Sequence, residues 1–376
     1  MPKQAPPDRQ HPDRQQVVVV KVGTSSITAD SGELDDAAVV KLCAEVADAR
    51  SDGHEIVVVV SGAIAAGLPA LGLHERPDDI RTLQAIAAVG QPRLMERIGA
   101  ILREHGLVAG QVLLTPHDFG HRSQYLHARE TLRRLLDLGV VPVVNENDTV
   151  ADDEIRFGDN DRLAALVSHL VSADVLVLLT DTPGLFTADP RLDAEASLID
   201  EIVEVDAALE GLAGGTGTQR GSGGMASKLA AAKIAAWSGV RVVIAAAGAD
   251  GVVRDAVAGR PVGTAVRARP TRLPSRKLWI AFALGSKGRV VVDAGARAAL
   301  TADGRSLLPA GVRAVEGDFV ADDAVEVVTD DGMAFAKGLV RYSATALRTV
   351  AGARTADLPE GAPHEVIHRD DLVVLP

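Results

Sequence analysis

Six short aliphatic runs punctuate the first two thirds of the chain: VVVV at 17–20, IVVVV at 56–60, VLL at 112–114, VVPVV at 140–144, VLVLL at 175–179 and VRVVIAA at 240–246. They are strand-length and almost free of polar residues, whereas a sheet wetted on one face would alternate. The stretches between them carry Ala, Leu, Arg and Glu at helical spacing, as in LDDAAVVKLCAEVADARSDG at 34–53, which predicts an amphipathic helix. Strand, helix, Gly-containing turn, strand is the βαβ alternation. It predicts a three-layer αβα domain with a mostly parallel central sheet over residues 17–265.

The pattern then changes. PVGTAVRARPTRLPSRK at 261–277 is rich in Pro, Arg and Gly and predicts a linker, drawn at 266–278. Beyond it GRVVVDAG, SLLPAGVRAVEGDFV, DAVEVVTDDG and EVIHRDDLVVLP are short alternating runs between turn signals. They predict a small β-rich domain over 279–376 with one helix near 343–351.

Composition narrows the picture. At 376 residues the chain is about 2.5 times the size of a common domain, which agrees with two. Hydrophobic residues make up 47% and charged residues 24%, excluding disorder as the main state. Aromatics are only 3%, so the cores are built from small and β-branched aliphatics. Lys and Arg number 39 against 51 Asp and Glu, a net charge of −12, the wrong sign for a chain whose main task is gripping nucleic acid. A single cysteine, Cys43, excludes an internal disulfide framework and any multi-cysteine zinc site. The first sixteen residues, MPKQAPPDRQHPDRQQ, hold no apolar run and predict a disordered tail rather than a signal peptide. No apolar run approaches the roughly 20 residues that span a bilayer, and the expected location is the cytoplasm.

Ligands of open α/β sheets bind beyond the carboxyl ends of the strands, so the residues that close each run are informative. Lys21-Val22-Gly23-Thr24-Ser25-Ser26 follows the first. It offers a point charge and backbone amides to a phosphate, or is a lysine snorkelling at a strand end. Ser61-Gly62-Ala63-Ile64-Ala65-Ala66-Gly67 follows the second and is either a small-residue helix entry open to an anion or a tight turn. Asn145-Glu146-Asn147-Asp148 follows the fourth, with Gly158-Asp159-Asn160-Asp161 just after. Acidic and amide groups this dense call for an amine, a metal or lysines, unless they form a solvated loop. Thr180-Asp181 follows the fifth, ahead of Pro183-Gly184-Leu185-Phe186, where turn chemistry competes with a nucleotide role. Last, Gly221-Ser222-Gly223-Gly224-Met225-Ala226-Ser227-Lys228 leads into LAAAKIAAW. A Gly-rich entry to a helix with a lysine in its first turn suits phosphates, although the P-loop Gly-Lys-Ser/Thr order is missing. Two lysines, two anion-type turns and an aspartate cluster on one edge, with no nucleophile–base pair, are what phosphoryl transfer requires.

Taken together, Val20-Lys21-Val22-Gly23-Thr24-Ser25, the Ser61–Gly67 segment, Asn145–Asp148, Gly158–Asp161 and Gly223-Gly224-Met225 with Lys228 resemble the glutamate 5-kinase family of the amino-acid kinase superfamily. SLLPAGV and the closing HRDDLVV resemble the PUA domain often appended to bacterial members. The resemblance implies transfer of the γ-phosphoryl of ATP to the side-chain carboxylate of L-glutamate, the first step of proline biosynthesis, with feedback inhibition by proline. It implies Lys21, Lys228 and Asp161 as the catalytic set and Ser61, Asp148 and Asn160 as the glutamate-binding set. It also implies Lys21, Thr180, Asp181 and Ser222, Gly223, Gly224, Met225, Ala226, Ser227 and Lys228 at ATP. Mg2+ would arrive with ATP, without a protein ligand set. A homo-oligomer, dimer or tetramer, and glutamyl-phosphate reductase are the implied partners.

The HDFGHRSQYLHARE stretch at 117–130 departs from the family in its histidines. His117, His121 and His127 read as surface or structural groups. Aspartokinase, with its Lys-Phe-Gly-Gly-Thr start and ACT domains, and acetylglutamate kinase, without a PUA domain, share the expected fold but fit less well. An RNA-associated role through the PUA domain meets Asp293, Glu316, Asp318, Asp322, Asp323, Glu326, Asp330 and Asp331, an unfavourable surface for a phosphate backbone.

Overall fold

The structure is a computed structural model that describes residues 14–29, 33–73, 75–150, 160–190, 193, 195–206, 209–211 and 224–375. The chain divides into two compact units between Arg272 and Leu273.

In the first unit the elements run β1 (Val17–Val22), α1 (Asp36–Ser51), β2 (Glu55–Val59), α2 (Ala63–Gly67), α3 (Ile80–Glu104), β3 (Ala109–Leu114), α4 (Pro116–Gly120), α5 (Arg122–Asp137), β4 (Val141–Glu146), α6 (Asn160–Val171), β5 (Val175–Thr180), β6 (Glu201–Ile202), α7 (Met225–Trp237), β7 (Arg241–Ala246), α8 (Val252–Ala258) and β8 (Thr264–Val266). Among the described residues eight strands form one sheet in the order β3-β4-β2-β1-β5-β7-β8-β6. The ladders are parallel except for β7 with β8. Each predicted run lies within a strand or overlaps it closely, and the helix expected at 34–53 is α1. The short β6 and β8 lacked a signal because two or three residues cannot show a period.

Alternation along β1 sorts its residues between two helical layers. Val18, Val20 and Val22 join a core with Val39, Leu42 and Val46 of α1, Leu94 and Ile98 of α3, and Val252 and Val253 of α8. Burying each such side chain contributes about 1.5–3 kcal/mol. Val19 and Lys21 point the other way, where α6 packs on β1. A strand that must serve two apolar layers is continuously hydrophobic, which is why its one lysine stands out.

Two expected boundaries move. Residues 1–13 of the expected tail lie outside the described residues, but Arg14–Gln16 are anchored. Arg14 bridges Asp174 at 3.0 Å. Gln16 is buried, donates its backbone N–H to His54 Nδ1 at 3.2 Å and accepts at its carbonyl from Glu55 at 2.8 Å. The expected linker at 266–278 is likewise structured at both ends. Val266 is fully buried in β8, Arg269 stacks over Trp237 at 4.0 Å, and a helical turn begins at Ser275. Composition flags Pro, Arg and Gly, whereas strand pairing and cation–π stacking are long-range.

The second unit holds α9 (Ser275–Leu278), β9 (Gly288–Val292), α10 (Ala294–Thr301), β10 (Val312–Gly317), β11 (Ala324–Val328), β12 (Ala334–Leu339), α11 (Ala344–Val350) and β13 (Leu372–Val374). Its five-stranded sheet has the order β10-β9-β11-β12-β13, antiparallel except for β9 with β11. Phe319, Phe335, Leu347 and Ile367 share its core. The predicted helix near 343–351 is α11. The second helix, α10, was not expected, because Gly295 interrupts a pattern of only eight residues; the Asp293 side chain caps it by accepting from Ala296 N at 2.8 Å. Among the described residues no helix is long and apolar enough to cross a membrane.

Candidate active site

β1 lies between β2 and β5, and the strand order reverses there: β2, β4 and β3 continue on one side, β5 and β7 on the other. A reversal of this kind opens a crevice at the carboxyl ends of the strands. Lys21 stands at that point, in register with Val59 and Leu178. Its Nζ meets Asp161 Oδ1 at 2.5 Å, while Lys228 Nζ, from the first turn of α7, meets Asp161 Oδ2 at 3.2 Å. Ser227 Oγ donates to the same Oδ2 at 3.4 Å. Lys21, Asp161 and Lys228 are 3%, 0% and 7% exposed. A buried charge persists only when paired. Here two ammonium groups share one carboxylate, so the three side chains sum to a positive charge. Two lysines more than 200 positions apart thus meet on the carboxylate of the third expected catalytic residue.

On the β2–β4 side a buried amide cluster adjoins this charge. Asn160, the neighbour of Asp161 at the start of α6, donates through Nδ2 to Val60 O at 2.5 Å, Asn145 Oδ1 at 2.7 Å and Ser61 Oγ at 3.0 Å. Asn145 donates in turn to Gln91 Oε1 at 2.7 Å. Gly62, at φ 101°, turns the chain from Ser61 into α2 through a left-handed conformation that favours glycine. The small residues of α2 serve close packing: a Cβ at Gly90 of α3 would lie 1.8 Å from Ala63 O. That approach brings Gln91, the next residue, toward the site. Asp148 lies in the turn directly after β4.

On the β5 side Thr180 closes the strand, buried, and donates through Oγ1 to the exposed Asp181 Oδ1 at 3.0 Å. Gly224 is the N-cap of α7, ahead of Met225, Ala226, Ser227 and Lys228. Ser222 and Gly223, like Gly158 and Asp159, lie outside the described residues. The Pro183–Phe186 turn is fastened by Leu185 N donating to Thr264 Oγ1 at 2.8 Å, a structural contact.

His117, His121 and His127 are exposed; the first two rings stack at 3.9 Å. Among the described residues no group of three His, Cys, Asp or Glu is placed to hold a metal. The buried carboxylate at the site is engaged by two lysines. Sequence reasoning missed Gln91 altogether and placed Asn145 in a motif without a role.

A crevice whose centre is a shared lysine pair and whose flank is an amide cluster is the equipment of a phosphotransferase acting on a small polar molecule. Residues 16–246 match the amino acid kinase family, and residues 288–361 match the PUA domain. Among curated proteins the chain is similar to glutamate 5-kinase of Cupriavidus pinatubonensis, 46% identical over 362 residues that cover 95% of this chain and 97% of that protein. It is similar also to glutamate 5-kinase of Caldanaerobacter subterraneus, at 45% over 95% and 97%, and of Myxococcus xanthus, at 47% over 95% and 96%. The chain belongs to the amino acid kinase family and, within it, to the glutamate 5-kinases.

Proposed function

We propose that the enzyme transfers the γ-phosphoryl group of ATP to the side-chain carboxylate of L-glutamate, giving glutamyl 5-phosphate and ADP. The observation that carries the reading is the pair of buried lysines on Asp161, with Asn160 and Ser61 hydrogen-bonded beside them. Glutamate's carboxylate, with an ordinary pKa of about 4.3, is ionised at neutral pH and needs no general base. Its oxygen forms a bond to the γ-phosphorus as the bond to the β–γ bridging oxygen breaks, and no proton moves. Lys21 and Lys228 neutralise charge on the phosphoryl in transit, and Asp161 holds both. Ser61, Asp148 and Asn160 bind the amino acid; Thr180, Asp181 and the 222–228 loop bind the nucleotide. Mg2+ arriving on ATP would neutralise its phosphate oxygens.

Within this reading the reaction opens proline biosynthesis in the cytoplasm, in a homo-oligomer that hands its labile acyl phosphate to glutamyl-phosphate reductase. Proline carries the α-amino and α-carboxylate groups but no acceptor carboxylate, so it occupies the amino-acid site without reacting and should raise the apparent KM for glutamate. Inhibition that glutamate does not relieve would overturn the shared site.

An ADP-release assay across glutamate, aspartate, acetylglutamate and UMP, with and without Mg2+, tests the substrate. Turnover should require glutamate and Mg2+. Aspartate, one methylene shorter, displaces the reacting oxygen by about an ångström and should be about 100-fold poorer. Equal turnover of aspartate would refute the assignment.

A further inference from the structure

The amide cluster has a fixed polarity. A carboxamide's oxygen and nitrogen are exchanged by a flip of the group, so their identities rest on neighbours that cannot reverse. Two backbone groups supply that anchor here. Val60 O only accepts, so the Asn160 atom 2.5 Å away is Nδ2. Glu146 N–H only donates, so the Asn145 atom it reaches at 2.9 Å is Oδ1. Asn145 Oδ1 then accepts from Asn160 at 2.7 Å, and Asn145 Nδ2 must donate to Gln91 Oε1 at 2.7 Å. Gln91 Nε2 is left to donate to Gln111 Oε1 of β3 at 3.4 Å. Asn145, Asn160 and Gln91 are all buried, so a broken link exposes an unsatisfied group rather than recruiting bulk water.

The consequence falls on Asn160. With its amide nitrogen spent on Val60, Ser61 and Asn145, its remaining polar atom is Oδ1, to which no described residue donates. An oxygen acceptor suits a cationic N–H donor, not a carboxylate. We propose that Gln91 is a positioning residue: by accepting from Asn145 it holds in place the relay whose polarity Val60 O and Glu146 N–H fix, and so presents Asn160 Oδ1 to the α-ammonium group of the amino-acid substrate. The inference rests on the glutamate reading above and adds the group on the substrate that Asn160 contacts. It also gives α3 a part in recognising the amino acid, through a side chain that does not touch it.

Steady-state kinetics of the full-length enzyme test this, with the wild type in the same assay. Gln91→Met keeps the length of the side chain and removes the acceptor. Its KM for glutamate should rise about tenfold or more, the scale of one unsatisfied buried polar group, with the KM for ATP unchanged and kcat falling less than threefold. Gln91→Glu restores an acceptor oxygen and should recover most of the lost affinity. An unchanged KM for glutamate in Gln91→Met overturns the proposal. So does an equal loss in kcat and both KM values that Gln91→Glu shares, since that marks a structural role. A wild-type enzyme that does not turn over glutamate would instead remove the reading on which the proposal stands.

Discussion

Both ends of α6 bury polar side chains and do opposite things with them. At the first turn Asn160 and Asp161 meet partners from the ends of β1, β2 and β4 and from the first turn of α7. At the last turn His169 is 5% exposed, and neither ring nitrogen has a hydrogen-bond partner among the described residues. The Tyr125 ring packs near it at 6.3 Å. Burial first, then the charges of Arg272 and Arg129, lower its pKa from 6.5 to about 4. The Ser168 hydroxyl beside it donates back to its own helix, at Ala164 O. Burial is therefore not the mark of a site in this helix. The mark is convergence: several elements spend charge and hydrogen bonds on one point, and that point lies at the switch in strand order.

The largest test of this contrast removes a member of the convergent end. Lys21→Ala and Lys228→Ala should each lower kcat by about 100–1000-fold, roughly 3–4 kcal/mol, with a much smaller change in the KM for glutamate. Asp161→Asn should follow them in kcat, because the two lysines lose the carboxylate that holds them. A near-normal kcat in any of the three would take that residue out of the mechanism.

A smaller effect separates the other end. His169 is neutral in the folded protein, while an unfolded chain protonates it below about 6.5. The unfolded state binds more protons between pH 6.5 and 4, so this contribution to stability is complete above pH 6.5 and declines as the pH falls toward 4. The span of about 2.5 units amounts to about 3 kcal/mol. Denaturant unfolding of wild type and His169→Leu at pH 7.5 and 5 should show a shallower pH dependence in the variant, while kcat at pH 7.5 stays within about twofold. Identical pH slopes would mean His169 does not titrate this way. A large loss of kcat would erase the distinction between the two ends.

What was legible in the sequence is what a local pattern can carry. Continuous Val runs specify strands buried on two faces, and Lys21 and Ser61 stand out because they close such runs; Asp161 and Lys228 stand out in the polar 158–161 segment and the Gly-rich 221–228 helix entry, and the roles expected of them rest on the family resemblance. The order of motifs was enough to point to the family. Other features were decided only in three dimensions. Lys21 and Lys228 meet on Asp161 because alternation along β1 turns Lys21 toward α6, and because α6 and α7 start at the same edge of the sheet. Gln91 sits in the middle of a helix, 54 positions from Asn145, and no period or turn signal links them. They meet because Gly90 allows α2 and α3 to approach closely. Arg269 reads as part of a linker until Trp237 is beneath it. Periodicity and turn chemistry act over a few residues and are written along the chain. The polarity of an amide relay and the sharing of one carboxylate by two lysines depend on distances between elements far apart in the chain, which only their packing sets.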